Sequence, residues 1–226
     1  MTEASDKRTR RVRLALLIAA VVLTAASCID LPEYTREGAS LYLQHLGTLA
    51  LLLPLAADLK LRTFTIPACV CIFLFVCLHI LGARYLYSNV PYREWAERFL
   101  HWHIAADDIH GNKFDRLVHF AFGALAIPPL FQIAKRRLKI ESDAAALLTA
   151  WAFVQCFSLL YEVFEWLLTT VMSPEDAEGY NGQQGDPWDA QKDMFLALAG
   201  STATAALLAI PTLLRRFVRR GELRKE

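Results

Sequence analysis

Ten glycines in 226 residues, none in a G-x-G-x-x-G or G-K-[ST] pattern, leave the chain without a loop built to cradle nucleotide phosphates. The five cysteines, Cys28, Cys69, Cys71, Cys77 and Cys156, form no C-x-x-C pair, which argues against a zinc module or a disulfide framework. Cys69 and Cys71 stand two apart and so point to different faces of a helix. All five read as small apolar packing residues. An excess of either charge is missing too: 24 Lys and Arg against 23 Asp and Glu give a formal net charge of +1, and the basic surface that binds nucleic acid is not expected. Internal repeats and low-complexity tracts are likewise lacking.

What the chain has is apolar residues, 55% of the total, gathered into blocks too long for a soluble core. A helix needs about 20 such residues to cross a ~30 Å hydrocarbon layer. Six blocks approach that length, over 12–29, 40–57, 65–83, 114–134, 144–172 and 194–214. The sequence therefore predicts an all-α, polytopic membrane bundle of six transmembrane helices in a single integral membrane domain. Basic residues cluster in the N-terminal tail (Lys7, Arg8, Arg10, Arg11, Arg13), at Lys60 and Arg62, in the run KRRLK at 135–139, and in the C-terminal tail. Cytoplasmic loops carry the excess of Lys and Arg, so both termini are expected inside. The long connections 84–113 and 173–193 then face outward, as in a bacterial inner-membrane protein with lipids as its immediate partners.

The stretch from RRVRL to AASC also resembles a twin-arginine or lipoprotein signal ending at Cys28. The apolar run from Leu14 is long enough for an uncleaved anchor, and Ala25 stands where a lipoprotein signal usually has Leu. Retention of the first helix is the favoured reading.

Several acids occur at the edges of these blocks, and helix capping accounts for some of them. In GDPWDAQKDM, Pro187 suits the first helical position, which makes Asp186 the N-cap and puts Asp189 at the third position of a capping box. Asp193 lies a turn further in and has no such explanation. In GNKFDRLVHF, Asn112 caps, Asp115 stands at the third position, and His119 follows inside the apolar run with Arg116 nearby. The pairs Asp115/His119 and Asp189/Asp193 each stack at i, i+4.

The fifth block carries Gln155, Ser158, Glu162 and Glu165, an arc of about 80° on one helix face, while Phe153, Leu160, Phe164 and Leu167 point elsewhere. Measured from an outer end near Met172, Glu165 is roughly 10 Å and Glu162 roughly 15 Å along the axis. Each intramembrane acid costs about 2.5–3.5 kcal/mol even on a lenient scale. They must face the interior and pair, bind a cation or stay protonated. His119, Glu162, Glu165 and Asp193 are the catalytic candidates, and His119, Glu165, Asp189 and Asp193 suit a divalent metal ion. A polar cluster that merely pins helices together is the structural alternative.

The outer connection 84–113 adds a short amphipathic helix in EWAERFLHW and interfacial aromatics. His101, His103 and His110, with Asp107 and Asp108, read as interfacial residues. Arg84, Tyr85, Tyr87 and Ser88 cluster behind His79 at the outer mouth of the third helix. Arg84, Tyr87, Arg116, Gln184 and Trp188 are the candidate substrate contacts, with snorkelling the alternative for the first of these.

HILGARYLYSNVP, FDRLVHFAFG, YEVFEW and GYNGQQGDPWDAQKDM resemble signature blocks of the YjdF-like family of bacterial inner-membrane proteins, a family of unassigned function. The likeness runs from His79 to Gly200. Where that family commonly shows a GRNHYDR-like run this chain has HGNKFDR, so no role is carried over to the Arg and His positions there. More distantly, Asp115, His119, Glu165, Asp193 and Gly200 follow an order similar to that in VanZ-like membrane proteins, with Ala197 in place of an Asn. That likeness implies a site acting on a molecule of the cell envelope, without supplying a reaction. The expectation is an envelope hydrolase or transferase, metal-assisted, working on a lipid-linked substrate at the outer leaflet. A small ion- or proton-coupled transporter and a non-enzymatic membrane partner are the alternatives.

Overall fold

A computed structural model describes residues 3–35, 40–104 and 111–222, and among them the regular structure is helical, with no strand. The principal helices are α1 (Glu3–Ser27), α2 (Ser40–Leu61), α3 (Ile66–Arg84), α4 (Tyr92–Leu100), α5 (Phe114–Arg136), α6 (Asp143–Val171), α7 (Pro174–Asn181) and α8 (Asp189–Glu222). Local chemistry sets several of their ends. Ser142 Oγ accepts from the Ala145 N–H at 3.3 Å and Ser173 Oγ from the Asp176 N–H at 3.1 Å, each satisfying a donor that a helix start leaves unpaired. Gly182, at φ 65°, ends α7 in the left-handed conformation, as C-terminal glycines do.

Five helices are long and apolar enough to cross a membrane: α2, α3, α5, α6 and the Asp189–Ile210 part of α8. The expected sixth, α1, carries Arg10, Arg11 and Arg13 within its length, and its uninterrupted apolar part is only 14–27. By length and composition five helices qualify as spans, and α1 does not reach that measure. The connection 84–113 holds α4 over the stretch expected to be a short helix, the connection 173–193 holds α7, and α8 begins before its apolar run, so Asp189 and Asp193 both lie on the helix. The bundle is apolar outside, and within it polar side chains are buried beside apolar clusters. Leu46 and Leu53 of α2 and Leu160 and Trp166 of α6 are exposed, whereas Gln44, Thr48, Ser158 and Ser201 are buried.

The helices pack as two groups, α1–α2–α3 and α5–α6–α8, joined where α3 lies on α5. α7 bridges α6 and α2. The most extensive packing is between α5 and α8, where small residues let the backbones meet. A Cβ on Gly123 would stand 2.1 Å from the Ala197 carbonyl oxygen, and one on Gly200 would stand 2.2 Å from that of Phe120. This close crossing brings the starts of α5 and α8 side by side.

The turn between α2 and α3 is fastened by buried polar groups. Asp58 Oδ1 accepts from the Thr63 and Phe64 N–H groups at 2.5 and 2.9 Å. Arg13 Nε lies 2.8 Å from Asp58 Oδ2, an ion pair too oblique for a hydrogen bond, and Arg13 Nη2 donates to the Phe64 carbonyl at 2.7 Å. Arg136, the last residue of α5, and Arg137 just after it donate to the Thr63 and Leu61 carbonyls respectively. Thus α1 is tied to the bundle at its charged end.

Candidate functional site

At the start of α5, Asn112 Oδ1 accepts from the Phe114 N–H at 2.9 Å, while its amide donates to the Val90 carbonyl at 2.8 Å. Asn112 thus holds the first N–H of α5 from one residue before the N-cap, Lys113, and the Asp115 carboxylate makes no cap hydrogen bond. At the start of α8, Asp186 Oδ1 accepts from the Trp188 N–H at 3.0 Å. The reciprocal half of a capping box does not form, because the Asp186 N–H donates to Gln183 and the Asp189 carboxylate lies 3.7 Å from Arg116.

One turn deeper the side chains of α5, α6 and α8 converge. His119 Nε2 lies 3.6 Å from Asp115 Oδ1 and 3.7 Å from Glu162 Oε1, too far for good hydrogen bonds. Asp115, His119 and Asp193 each offer a ligand atom within 4.8 Å of the others. His119, Glu162, Glu165 and Asp193 are all buried, Asp193 to 2% exposure. Asp193 Oδ1 and Glu162 Oε1 have no hydrogen-bond partner among the described residues. A buried carboxylate oxygen left unpaired is costly.

The polar stripe of α6 turns inward as its spacing predicts, with Ser158, Glu162 and Glu165 buried and Phe153, Leu160, Phe164 and Leu167 exposed. Glu162 rather than Glu165 approaches His119. Glu165 sits beneath α7, whose Asn181 amide donates to the Glu165 carbonyl at 3.0 Å. The imidazole, Asp115 and two tyrosines, Tyr161 and Tyr180, line a cavity of about 370 Å³ whose remaining wall is largely apolar. Burial pushes the Tyr180 hydroxyl up from its ordinary value, so it stays a protonated donor.

Above the cluster Arg116, Lys192 and Asp186 form a clasp. Arg116 Nη2 and Lys192 Nζ each lie 2.5 Å from Asp186 Oδ2, joining α5 to α8. The Lys192 ammonium, then the Trp188 N–H, hold the Asp186 carboxyl down from 3.8 to about 2. A carboxyl depressed in the folded state contributes fully above its unfolded value and loses that contribution as pH falls through the folded one. Asp186→Asn should therefore lower the unfolding temperature in detergent at neutral pH. The gap to wild type should close between about 3.8 and about 2, read by tryptophan fluorescence.

The remaining sequence candidates are engaged elsewhere. Arg84 donates to the Ser27, Ile29 and Asp30 carbonyls at 2.7, 2.7 and 2.8 Å, fastening the end of α1 to that of α3, and it lines a separate cavity. Tyr87 borders the main cavity, but its hydroxyl lies 2.5 Å from His79 Nδ1. His79 Nε2 lies 3.1 Å from the Gln44 carbonyl; a carbonyl only accepts, so Nε2 carries the proton and Tyr87 donates to Nδ1. Gln184 exchanges hydrogen bonds with the Asn112 backbone at 2.7 and 3.0 Å, latching the connections 84–113 and 173–193 together. Trp188 is exposed. His101 and His103 are exposed, with His103 Nδ1 3.8 Å from Glu97. His110, Asp107 and Asp108 lie outside the described residues.

Asp115 enters the ligand group although capping had accounted for it, and the i, i+4 spacing to His119 was the available signal. Nothing local in the sequence marks Asp58 or Gln44 as buried.

A family model described as "Predicted membrane protein (DUF2238)" matches residues 11–212. The chain is similar to the inner membrane protein YjdF of Escherichia coli (strain K12), 29% identical over 138 residues, which cover 61% of this chain and 62% of that protein. The match thus spans less than two thirds of the relative's length. No solved structure matches. With five apolar helices long enough to cross a membrane, the chain belongs to this YjdF-like, DUF2238 family and is a multi-pass protein of the inner membrane.

Proposed function

We propose that this protein is an envelope hydrolase or transferase, assisted by a divalent metal ion, that acts on a lipid-linked substrate at the outer leaflet. The observation that carries this reading is the convergence of Asp115, His119 and Asp193 beside the unpartnered oxygens of Asp193 and Glu162. Ligands on opposite sides of one ion, each at about 2.0–2.6 Å, are about 4–5 Å apart. The 4.8 Å limit of this group falls within that reach. Asp115, His119 and Asp193 would hold the cation, with Glu162 completing the shell or taking a proton beside His119. Bound there, the ion would polarise a phosphoryl or carbonyl oxygen or lower the pKa of a water. Arg116, at the rim, steadies an anionic group of the substrate by exchanging part of its contact with Asp186. Glu165 and Asp189, on the same helices, supply further negative charge around the ion.

The same proposal includes six crossings with both termini cytoplasmic. The ties of α1 through Arg13 to Asp58 and through Ser27 and Ile29 to Arg84 support it, as do the basic residues gathered at one end.

Elemental mass spectrometry of the detergent-purified protein tests the metal. Near-stoichiometric divalent metal is expected in wild type and is lost in Asp193→Asn and His119→Gln at matched folding. Wild type without metal after equilibration with zinc, magnesium, manganese and calcium would sink the mechanism. Proton-coupled transport along Glu162, Ser158 and Gln155 would then be favoured, since Gln155 donates to Ser201 at 2.9 Å and continues the polar path inward.

A further inference from the structure

The cavity beside the cluster lies where the two halves of the bundle do not close on one another. Gly47, Ala50 and Leu51 of α2 form one wall and Phe157, Ser158 and Tyr161 of α6 the other. Yet α2 packs on α1, α3 and α7, and α6 on α5, α7 and α8; α2 and α6 are not a packed pair. Ala50 and Phe157 line the cavity and are exposed, so a fissure opens sideways between the helices. Both flanks of that fissure are apolar and exposed, with Leu46, Leu49 and Leu53 on α2 and Leu160 and Phe164 on α6. In a membrane these side chains meet hydrocarbon. The outer end is roofed by α7, held to α2 by Ser40 Oγ donating to the Asp176 carbonyl at 3.0 Å and to α6 by Asn181. The exposed Ala50 and Phe157 leave the side between α2 and α6 open.

The interior has two chemistries. Leu51, Phe75, Val118 and Phe122 make it apolar, and Asp115 and His119 stand at one side. Ser158 lines the same cavity; it is 3% exposed, and its Oγ has no partner among the described residues. It sits one turn inward of Glu162. A hydroxyl in that place needs an acceptor, and it lies where the carbonyl of an acyl ester follows a polar head group.

We propose that an acyl-ester glycerolipid enters sideways between α2 and α6, laying one chain among Leu51, Phe75 and Phe122, its ester carbonyl on Ser158 and its head at Asp115 and His119. This rests on the functional reading above and names its substrate class. A volume of about 370 Å³ falls in the ~300–1,000 Å³ range of small-molecule sites, enough for part of one chain, with the rest lying in the fissure.

The test uses the full chain in nanodiscs of phosphatidylethanolamine and phosphatidylglycerol, doped with a diacyl phospholipid carrying a diazirine in one acyl chain. After irradiation, peptide mass spectrometry should find label on Phe75, Phe122 or Phe157. Ala50→Trp, which fills the fissure from an exposed position, should cut that label roughly tenfold and leave metal content unchanged. An ether-linked analogue should label wild type less than the ester and label Ser158→Ala equally. Label confined to outward residues such as Leu148, unaffected by Ala50→Trp, would overturn the proposal. Should Ala50→Trp not fold, the ester and ether comparison decides alone, equal labelling in wild type overturning it. Metal binding with no interior label refutes only the lipid path. Interior label in a metal-free protein refutes only the metal mechanism.

Discussion

Gly200→Ala will drive α5 and α8 apart and destabilise the protein. The added Cβ would stand 2.2 Å from the Phe120 carbonyl oxygen and 2.9 Å from the Ala124 nitrogen. Both are backbone atoms of α5, so no side-chain rotation relieves the clash. Inserting one carbon into a filled interior typically costs about 1–3 kcal/mol, and the backbone contact puts this site at the upper end. Gly123→Ala meets Ala197 and Ser201 backbone from the other side and should act alike. Because the clash is shared across one crossing, the double variant should be less destabilised than the sum. The consequence reaches the site, since Asp115 and His119 ride on α5 and Asp193 on α8. Metal affinity should fall in the variants that still fold. Gly47→Ala is the control, its nearest neighbours being His79 ring atoms at an ordinary 3.5 Å. Equal unfolding temperatures for all three variants and wild type would refute the account.

Asp58→Ala is the second large effect. Its carboxylate is 1% exposed, pairs with Arg13, itself 9% exposed at the side chain, and accepts two backbone N–H groups. Removing one partner of a buried pair leaves the other charged and unpaired, a loss of about 3–5 kcal/mol. Asp58→Asn keeps an acceptor for the Thr63 and Phe64 N–H groups but not the charge, and should fall between wild type and alanine. Replacing both partners, Arg13→Met with Asp58→Leu, should recover part of the loss, because no isolated charge remains. Unfolding in detergent with graded denaturant, followed by tryptophan fluorescence, measures all three variants. An alanine variant as stable as wild type would mean the pair contributes nothing to the α2–α3 turn.

Much of this was legible along the chain. The spans follow from runs of apolar residues, and the inward face of α6 from the spacing of Ser158, Glu162 and Glu165. The N–H acceptors at Asn112 and Asp186 follow from short side chains just before helix starts. Each is a property of one helix or one turn, readable because helical geometry fixes where residues three and four apart point. That chemistry also made His119, Glu162 and Asp193 candidates before any packing was known.

Tertiary structure decided the partners. Asp115 rather than Asp189 stands within ligand distance of His119 and Asp193, and Glu162 rather than Glu165 approaches the imidazole. Arg84, Tyr87 and Gln184 found backbone or side-chain partners from distant segments, and Asp58 became the centre of a buried clasp. The physical reason is common to all of these. Periodicity fixes a residue's direction about its own axis but says nothing of which axis lies opposite or how near it comes. Here that approach is set by Gly123 and Gly200, two residues whose contribution is the absence of a side chain.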